Sequence, residues 1–371
     1  MKKIALIALL GLSLTGCSKD SVERTDLGEK VPIMAEAVIA GDAGSDLETR
    51  ARQNTGGKGL FDVGSQIGLG LTNSSDGSFG PVYDNMMGLY SGTNWGYYID
   101  GIYNGLILSG FSSWVYVNLY GYYPYDNTVT DFTNIPFRIA EMTGSDTAEA
   151  YEDEVSVDYM VAGPKSKSMS ASGYLSLQFH HIFTGIDVRL RREHTGPDII
   201  LAGATFEISG GQSFGISGKY TAKTLVTTDP GANVHTIDES ATELEIYYTS
   251  ADKIIKHAQS PTAFQQSPLA VMPELRCKTG NGGADDATVT ITLHFTDTDG
   301  DPYIFEDKAG DPVISFLLSS VDNGSGADKG LLAGYVYAIQ ASIGSYVQFS
   351  GGPKIVYQDL VDDEDPEYIK I

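Results

Sequence analysis

Several stretches of the chain carry residue types that could do chemistry. Gly211-Gln212-Ser213-Phe214-Gly215 has the spacing of a nucleophile elbow, where a strand turns sharply into a helix and lifts a serine hydroxyl clear. Ile216 to Tyr220 (ISGKY) shows no helical pattern, so no oxyanion hole would form, and a glycine-rich hairpin accounts for the residues. Asp297-Thr298-Asp299-Gly300-Asp301 alternates carboxylates as a calcium loop does. The sixth place of such a loop calls for glycine and holds Pro302, and the twelfth calls for a carboxylate and holds Lys308. A turn between strands at 288–296 and 303–306 is the simpler reading. His180 and His181 are neighbours on a strand, so their side chains point to opposite faces and do not share an ion easily. One of the two reads as a hydrogen-bonded core histidine, while His194, His235, His257 and His294 are scattered along the chain. The aromatic run Tyr116 to Tyr125 could stack on sugar rings, which keeps a glycan-binding protein as an alternative, although a packed core uses the same residues. No nucleophile, base and orienting group can be assembled from the sequence. The chain therefore reads as a non-enzyme with no catalytic residues, metal site or cofactor.

The elements that would position any of these groups are strands. Short apolar runs alternate with Gly, Asn, Asp and Ser clusters from about residue 60 onward. Ser113 to Tyr120, Tyr174 to Leu190, Thr288 to Thr296 and Gly334 to Phe349 carry period-two patterns rich in β-branched and aromatic residues. A hairpin is expected at Ile343-Gly344-Ser345, and the one stretch with a helical period is Ser250 to His257. Many short strands between turn signals predict an all-β fold, here two β-sandwich domains in series. The 371 residues suit two domains, with a boundary near 185 that divides the mature chain into 51–185 and 186–371. With 24 Lys plus Arg against 48 Asp plus Glu, the net charge of −24 repels phosphate backbones and argues against nucleic-acid partners. Two cysteines make neither a disulfide framework nor a four-thiolate metal site.

The N-terminus sets the compartment. Lys2 and Lys3 form a positive n-region, Ile4 to Leu14 is apolar, and small residues precede Cys17. This is the anatomy of a secretory signal peptide over 1–17, too short to span a bilayer. Leu14-Thr15-Gly16-Cys17 looks like a lipobox, which implies cleavage before Cys17 and diacylation of Cys17, with palmitate-type chains holding the protein to the outer membrane. Cys277 is then left as a small apolar residue. Residues 18–50 form a tether that holds an unexpected strand-like run, Val31 to Ala40 (VPIMAEAVIA), including Ile33, Met34, Val38 and Ile39. Its simplest placement is an edge strand of the first sandwich. The polar loop after it carries Arg50 and Arg52, where a protease could cut, free the strand and expose an apolar groove and a sheet edge to a strand from another subunit.

Several stretches, taken in order, resemble the fimbrillin family of Bacteroidetes, the pilins of type V pili. Thr49-Arg50-Ala51 followed by Phe61-Asp62-Val63-Gly64-Ser65-Gln66-Ile67-Gly68 is similar to the family's opening motif, with Ser65 where Asp is usual. Trp114 to Asp126 (WVYVNLYGYYPYD), Asp158 to Gly163 (DYMVAG), Leu175 to Phe183 (LSLQFHHIF) and Leu269 to Pro273 (LAVMP) resemble further segments, and Glu274 replaces the usual Gln. Ser18-Lys19-Asp20 resembles the signal that sends lipoproteins of that phylum to the cell surface. The resemblance implies two transthyretin-like sandwiches in a surface lipoprotein of the fimbrium that serves adhesion to a host or bacterial surface ligand. It implies a cut after Arg50, leaving Ala51 as the new N-terminus, with Arg52 as the alternative. It also implies other pilus subunits as partners, through donor-strand exchange by the C-terminal tail. The residues able to fill a neighbour's groove are Ile355, Tyr357 and Leu360, then Tyr368, Ile369 and Ile371. Between them Asp362 to Glu367 (DDEDPE) is charged and holds a proline, a poor strand that equally suits an anchor or tip subunit.

Overall fold

A computed structural model describes residues 32–39, 51–53, 59–61, 63–73, 84–99, 101–103, 107–109, 116–139, 159–168, 173–192, 198–223, 229–247, 254–255, 265–266, 270–277, 286–305, 311–321, 329–344 and 346–358. Nearly all of their regular structure is β-strand, in sheets of eleven, six, five, three and two strands. Among the described residues no helix is long and apolar enough to cross a membrane. The fold is the all-β sandwich architecture expected.

Alternation decides which side of each strand is buried. In Thr288–Thr296 (TVTITLHFT), Val289, Ile291, Leu293 and Phe295 are buried while the threonines and His294 face outward. The inward set meets Ile186, Val188, Leu190, Tyr337, Ile339 and Ala341 from the six-stranded sheet, and the two layers close over one core. The hairpin after Ile343 forms as expected, with Ile343 opposite Val347.

The eleven-stranded sheet runs Ala51–Gln53, Gly59–Phe61, Pro32–Ile39, Gly173–His181, Met160–Ser168, Tyr116–Tyr123, Gln66–Asn73, Met86–Tyr90, Trp95–Ile99, Ile102–Tyr103, with Ile107–Ser109 also paired to Pro32–Ile39. Twist rolls this sheet on itself until residues near its two ends touch. Phe61, beside one end, packs edge-on against Trp95 near the other at 5.1 Å, and against Phe179 and Tyr123 at 5.3 and 5.5 Å. The outer face of the same sheet carries Tyr120, Tyr122 and Val161. A three-stranded sheet of Ile135–Arg138, Phe214–Tyr220 and Val234–Ala241 covers it through Phe137 and Tyr220. That sheet pairs residues from both sides of position 185. The chain passes from the eleven- to the six-stranded sheet through Ile182 and Phe183, both buried in this junction. Burial raises the phenol pKa of Tyr122 and Tyr220 well above the usual range, so both stay neutral there.

Three local expectations are corrected. Within Ser250–His257 the described residues Ile254–Ile255 are a strand paired to Ile199–Ile200, because a neighbouring ladder outweighs a short helical period. Gly211-Gln212-Ser213 is not a hairpin but part of a turn that carries the chain from the five-stranded sheet into the three-stranded one, where Phe214 and Gly215 already pair, with Gly210 and Gly211 at φ of 76° and 73°. Of the aromatic run, Tyr120, Tyr122 and Tyr123 are core, at most 5% exposed, so these three rings present no face to a sugar.

The turn feeding the junction offers a pH test. Asp131 accepts hydrogen bonds from the Thr133 hydroxyl and backbone N–H and from Asn134, and these hold its carboxyl below the ordinary value of 3.8. A depressed folded pKa adds stability above the unfolded value and loses it as pH falls through the folded one. The Asp131→Asn chain is therefore expected to lose less stability than the native chain between pH 5 and pH 3 in urea melts. Equal losses would assign the acid sensitivity to other carboxylates.

Candidate functional site

The site begins with the eight residues Pro32–Ile39 (PIMAEAVI), a β-prone run on the far side of a polar loop. The edge-strand expectation is corrected, because this strand lies inside the sheet. It runs parallel to Gly173–His181 over seven pairs, from Ile33 opposite Gly173 to Ile39 opposite Phe179. On its other side Pro32, Ile33 and Met34 pair antiparallel with Ser109, Leu108 and Ile107, and Ile39 pairs with Gly59. Half-buried Ala37 packs on the core that Phe61, Leu177 and Phe179 help to build. Since neighbouring strands lie about 4.8 Å apart, the strand fills a slot of about 9.6 Å between two ladders. Removing it would leave unpaired N–H and C=O groups on both walls.

Ala51–Gln53 is the outermost strand of the sheet and pairs with Gly59–Phe61. Ala51 stands opposite Phe61, and Arg52 lies within the ladder opposite Leu60. Among the described residues pairing on this side begins at Ala51. Cys17, Arg50 and the loop over 41–50 lie outside the described residues. The positions Ile33, Met34, Val38 and Ile39 all fall on the inserted strand and are brought together in it.

The C-terminal expectation is modified by what the strand already does. Lys354–Gln358 pairs antiparallel with Tyr335–Ala338 of the same chain, with Ile355 opposite Tyr337 and Tyr357 opposite Val336. Ile355 and Tyr357 can be donated to a neighbour only after that ladder opens. Leu360, Tyr368, Ile369 and Ile371 lie outside the described residues. Two features of the slot had no sequence signal that could have found them. One is the short cover strand Ile107–Ser109, and the other is the parallel direction of the pairing to Gly173–His181.

The residues weighed for chemistry take structural places. Asp297 Oδ1 accepts the backbone N–H groups of Asp299 and Asp301 at 2.9 and 3.0 Å, so this carboxylate holds its own turn. His180 is buried and His181 half-buried, opposite Val161 and Met160. Ser213 precedes a strand rather than a helix.

No curated protein matches the sequence. Similar solved structures include a protein from Bacteroides uniformis to which cell adhesion is ascribed, with 15% identity, 89% of this chain and 97% of that one covered, and a TM-score of 0.48. The tip fimbrial protein Mfa3 from Porphyromonas gingivalis is 9% identical, covering 90% of this chain and 100% of that one at a TM-score of 0.40. A fimbrial protein from Bacteroides ovatus is 14% identical, covering 86% of this chain and 50% of that one at 0.35. The sequence model of the Fimbrillin-like family matches residues 49–355, which takes in the rolled sheet from Ala51 onward and the C-terminal sandwich. The chain belongs to the fimbrillin-like family.

Proposed function

We propose that this protein is a structural pilus subunit, exported as a lipoprotein on Cys17, cut after Arg50, and assembled by exchange of the strand Pro32–Ile39 for one from another subunit. The observation that carries the reading is the inserted strand itself, which is paired on both sides yet belongs to the short segment ahead of Arg50. The family match begins at Thr49, so the part shared with relatives starts next to the proposed cut. In this reading 1–17 is the signal peptide, 18–50 the tether and removable strand, 51–185 the first sandwich and 186–371 the second. Other fimbrillins are the partners, and the outer membrane holds the chain before processing. The mechanism is physical: proteolysis opens an apolar slot, and burial of apolar surface together with two new ladders holds the incoming strand.

A second reading, an anchor or tip subunit that receives a strand but does not donate one, is favoured by the tail. Lys354–Gln358 is already paired within the chain, and the acidic run after it suits a ladder poorly.

The test uses residues 18–371, an Arg-specific protease, sequencing of the new N-terminus and an unboiled denaturing gel. A start at Ala51 with a heat-sensitive ladder of bands is the expected stalk result. A clean cut without a ladder assigns the anchor or tip role. Resistance at both Arg50 and Arg52 would sink the processing mechanism.

A further inference from the structure

The five-stranded sheet turns one face to solvent, and three residues from separate strands and turns meet on it. Thr205, on Ile199–Ile208, has its Oγ1 2.7 Å from Nε2 of His294, on Thr288–Thr296. Nδ1 of His294 lies 2.9 Å from Oδ2 of Asp311, two residues ahead of the edge strand Val313–Leu317. A carboxylate at Nδ1 selects the tautomer with the proton there, which leaves Nε2 as the acceptor for the Thr205 hydroxyl. Hydroxyl, imidazole and carboxylate in that order, at those distances, form the arrangement that activates a nucleophile.

The surroundings hold this arrangement in place. Asp311 is fixed beside the sheet because the next residue, Pro312, accepts the Leu293 N–H at 2.9 Å. The ladder between Ile199–Ile208 and Thr288–Thr296 shifts register between Leu201 and Gly203, a bulge that sets Gly203, which has no side chain, directly opposite His294. Thr292 stands directly opposite Thr205, so a second hydroxyl-bearing residue shares this face. Side chains of His294 and Asp311 are 37% and 50% exposed, so a small molecule reaches them without a tunnel.

We propose that Thr205, His294 and Asp311 form an acyl-transfer centre for small, uncharged carboxylic esters, independent of the strand exchange proposed above. Thr205 Oγ adds to the ester carbonyl carbon while its proton passes to His294 Nε2. The bond to the alkoxy oxygen then breaks, the alcohol departs with that proton, and acyl-Thr205 remains. Water, giving a proton to His294, adds to the acyl carbon; Thr205 leaves with the proton and the carboxylic acid is released. Asp311 keeps the imidazole oriented and stabilises its charge. Glu245, across the ladder from Thr205, and the net charge of −24 disfavour anionic acyl donors.

The probe is p-nitrophenyl acetate with the full chain. Native protein is expected to release p-nitrophenolate on the order of 100-fold faster than Thr205→Val, the usual scale of a positioned general base. Thr205→Ser should stay within about tenfold of native, and Asp311→Asn should lose most of the rate. Acid-quenched native protein should carry one acetyl group on the peptide containing Thr205. His294→Gln stands in should Thr205→Val fail to keep the native thermal transition. Equal rates in native and variant chains, or an acetyl group mapped elsewhere, overturn the proposal and leave the three residues as a cross-strand hydrogen-bond chain.

Discussion

Replacing Gly68 by alanine is expected to remove about 3 kcal/mol of stability, and replacing it by valine to prevent the rolled sheet from forming. A Cβ at position 68 would fall within the Tyr122 ring. That ring has nowhere to go. Its hydroxyl lies 2.6 Å from Asn85 Oδ1 and 2.9 Å from the Asp126 carbonyl, one of which takes its proton, and it accepts the Asp126 N–H at 3.2 Å. Phe132 packs edge-on against it at 5.3 Å. Moving the ring would break a part-buried hydrogen-bond set and take the Tyr122 hydroxyl away from Asn85 Oδ1 and the Asp126 N–H, at about 1–3 kcal/mol per group left unsatisfied. The measurement is a double-mutant cycle of urea melts with Gly68→Ala and Tyr122→Ala. If steric conflict is the cause, the glycine change costs much less once the ring is gone. Additive costs would mean that Gly68 matters for its backbone and not for the space it leaves.

The second large effect concerns the inserted strand. A chain cut before Ala51 and freed of residues 18–50 is expected to melt well below the intact chain in its N-terminal sheet. The walls formed by Gly173–Phe179 and Ile107–Ser109 then lack their common partner. A synthetic peptide of sequence PIMAEAVI should raise that transition, by about 2.7 kcal/mol of stability at one hundred times its Kd. The same peptide with Ala37→Asp should bind far more weakly, because Ala37 packs against the core and a carboxylate there would be buried without a partner. A cut chain that melts like the intact one would mean that the strand adds little and that its exchange cannot drive assembly. The melts are read by near-ultraviolet circular dichroism, with the C-terminal sandwich as the internal reference.

How far the sequence could be read depends on what a side-chain pattern encodes. Period-two alternation states which residues of one strand share a face, so the burial of Val289, Ile291, Leu293 and Phe295 was legible in the sequence. It does not state which strand lies alongside. That Ile33 pairs with Gly173, in parallel, is settled by the whole rolled sheet and by no local signal. The tyrosines of Tyr116–Tyr123 illustrate the same limit. Their types fit a sugar platform and a core equally well, and the layer that buries Tyr120 and Tyr122 joins Phe132, Ile135 and Phe137 to Tyr220 and Ala222, the last two about 100 positions away. The relay on the five-stranded sheet was invisible for a related reason. Thr205, His294 and Asp311 are spread over about 100 positions, and a bulge decides which of the outward residues meet. The first strand itself was legible, because an apolar run of eight residues is out of place in a polar tether.

The parallel pairing of the first strand also sets an order of events in time. Pro32–Ile39 leaves the ribosome early, but its long partner Gly173–His181 lies about 140 positions later. Closing so long a loop is slow compared with forming the hairpin of Met86–Tyr90 and Trp95–Ile99, whose strands follow one another directly. The rest of the sheet can therefore assemble first and take in the first strand as its last piece. By microscopic reversibility, the piece that enters last is the first to leave when the sheet opens.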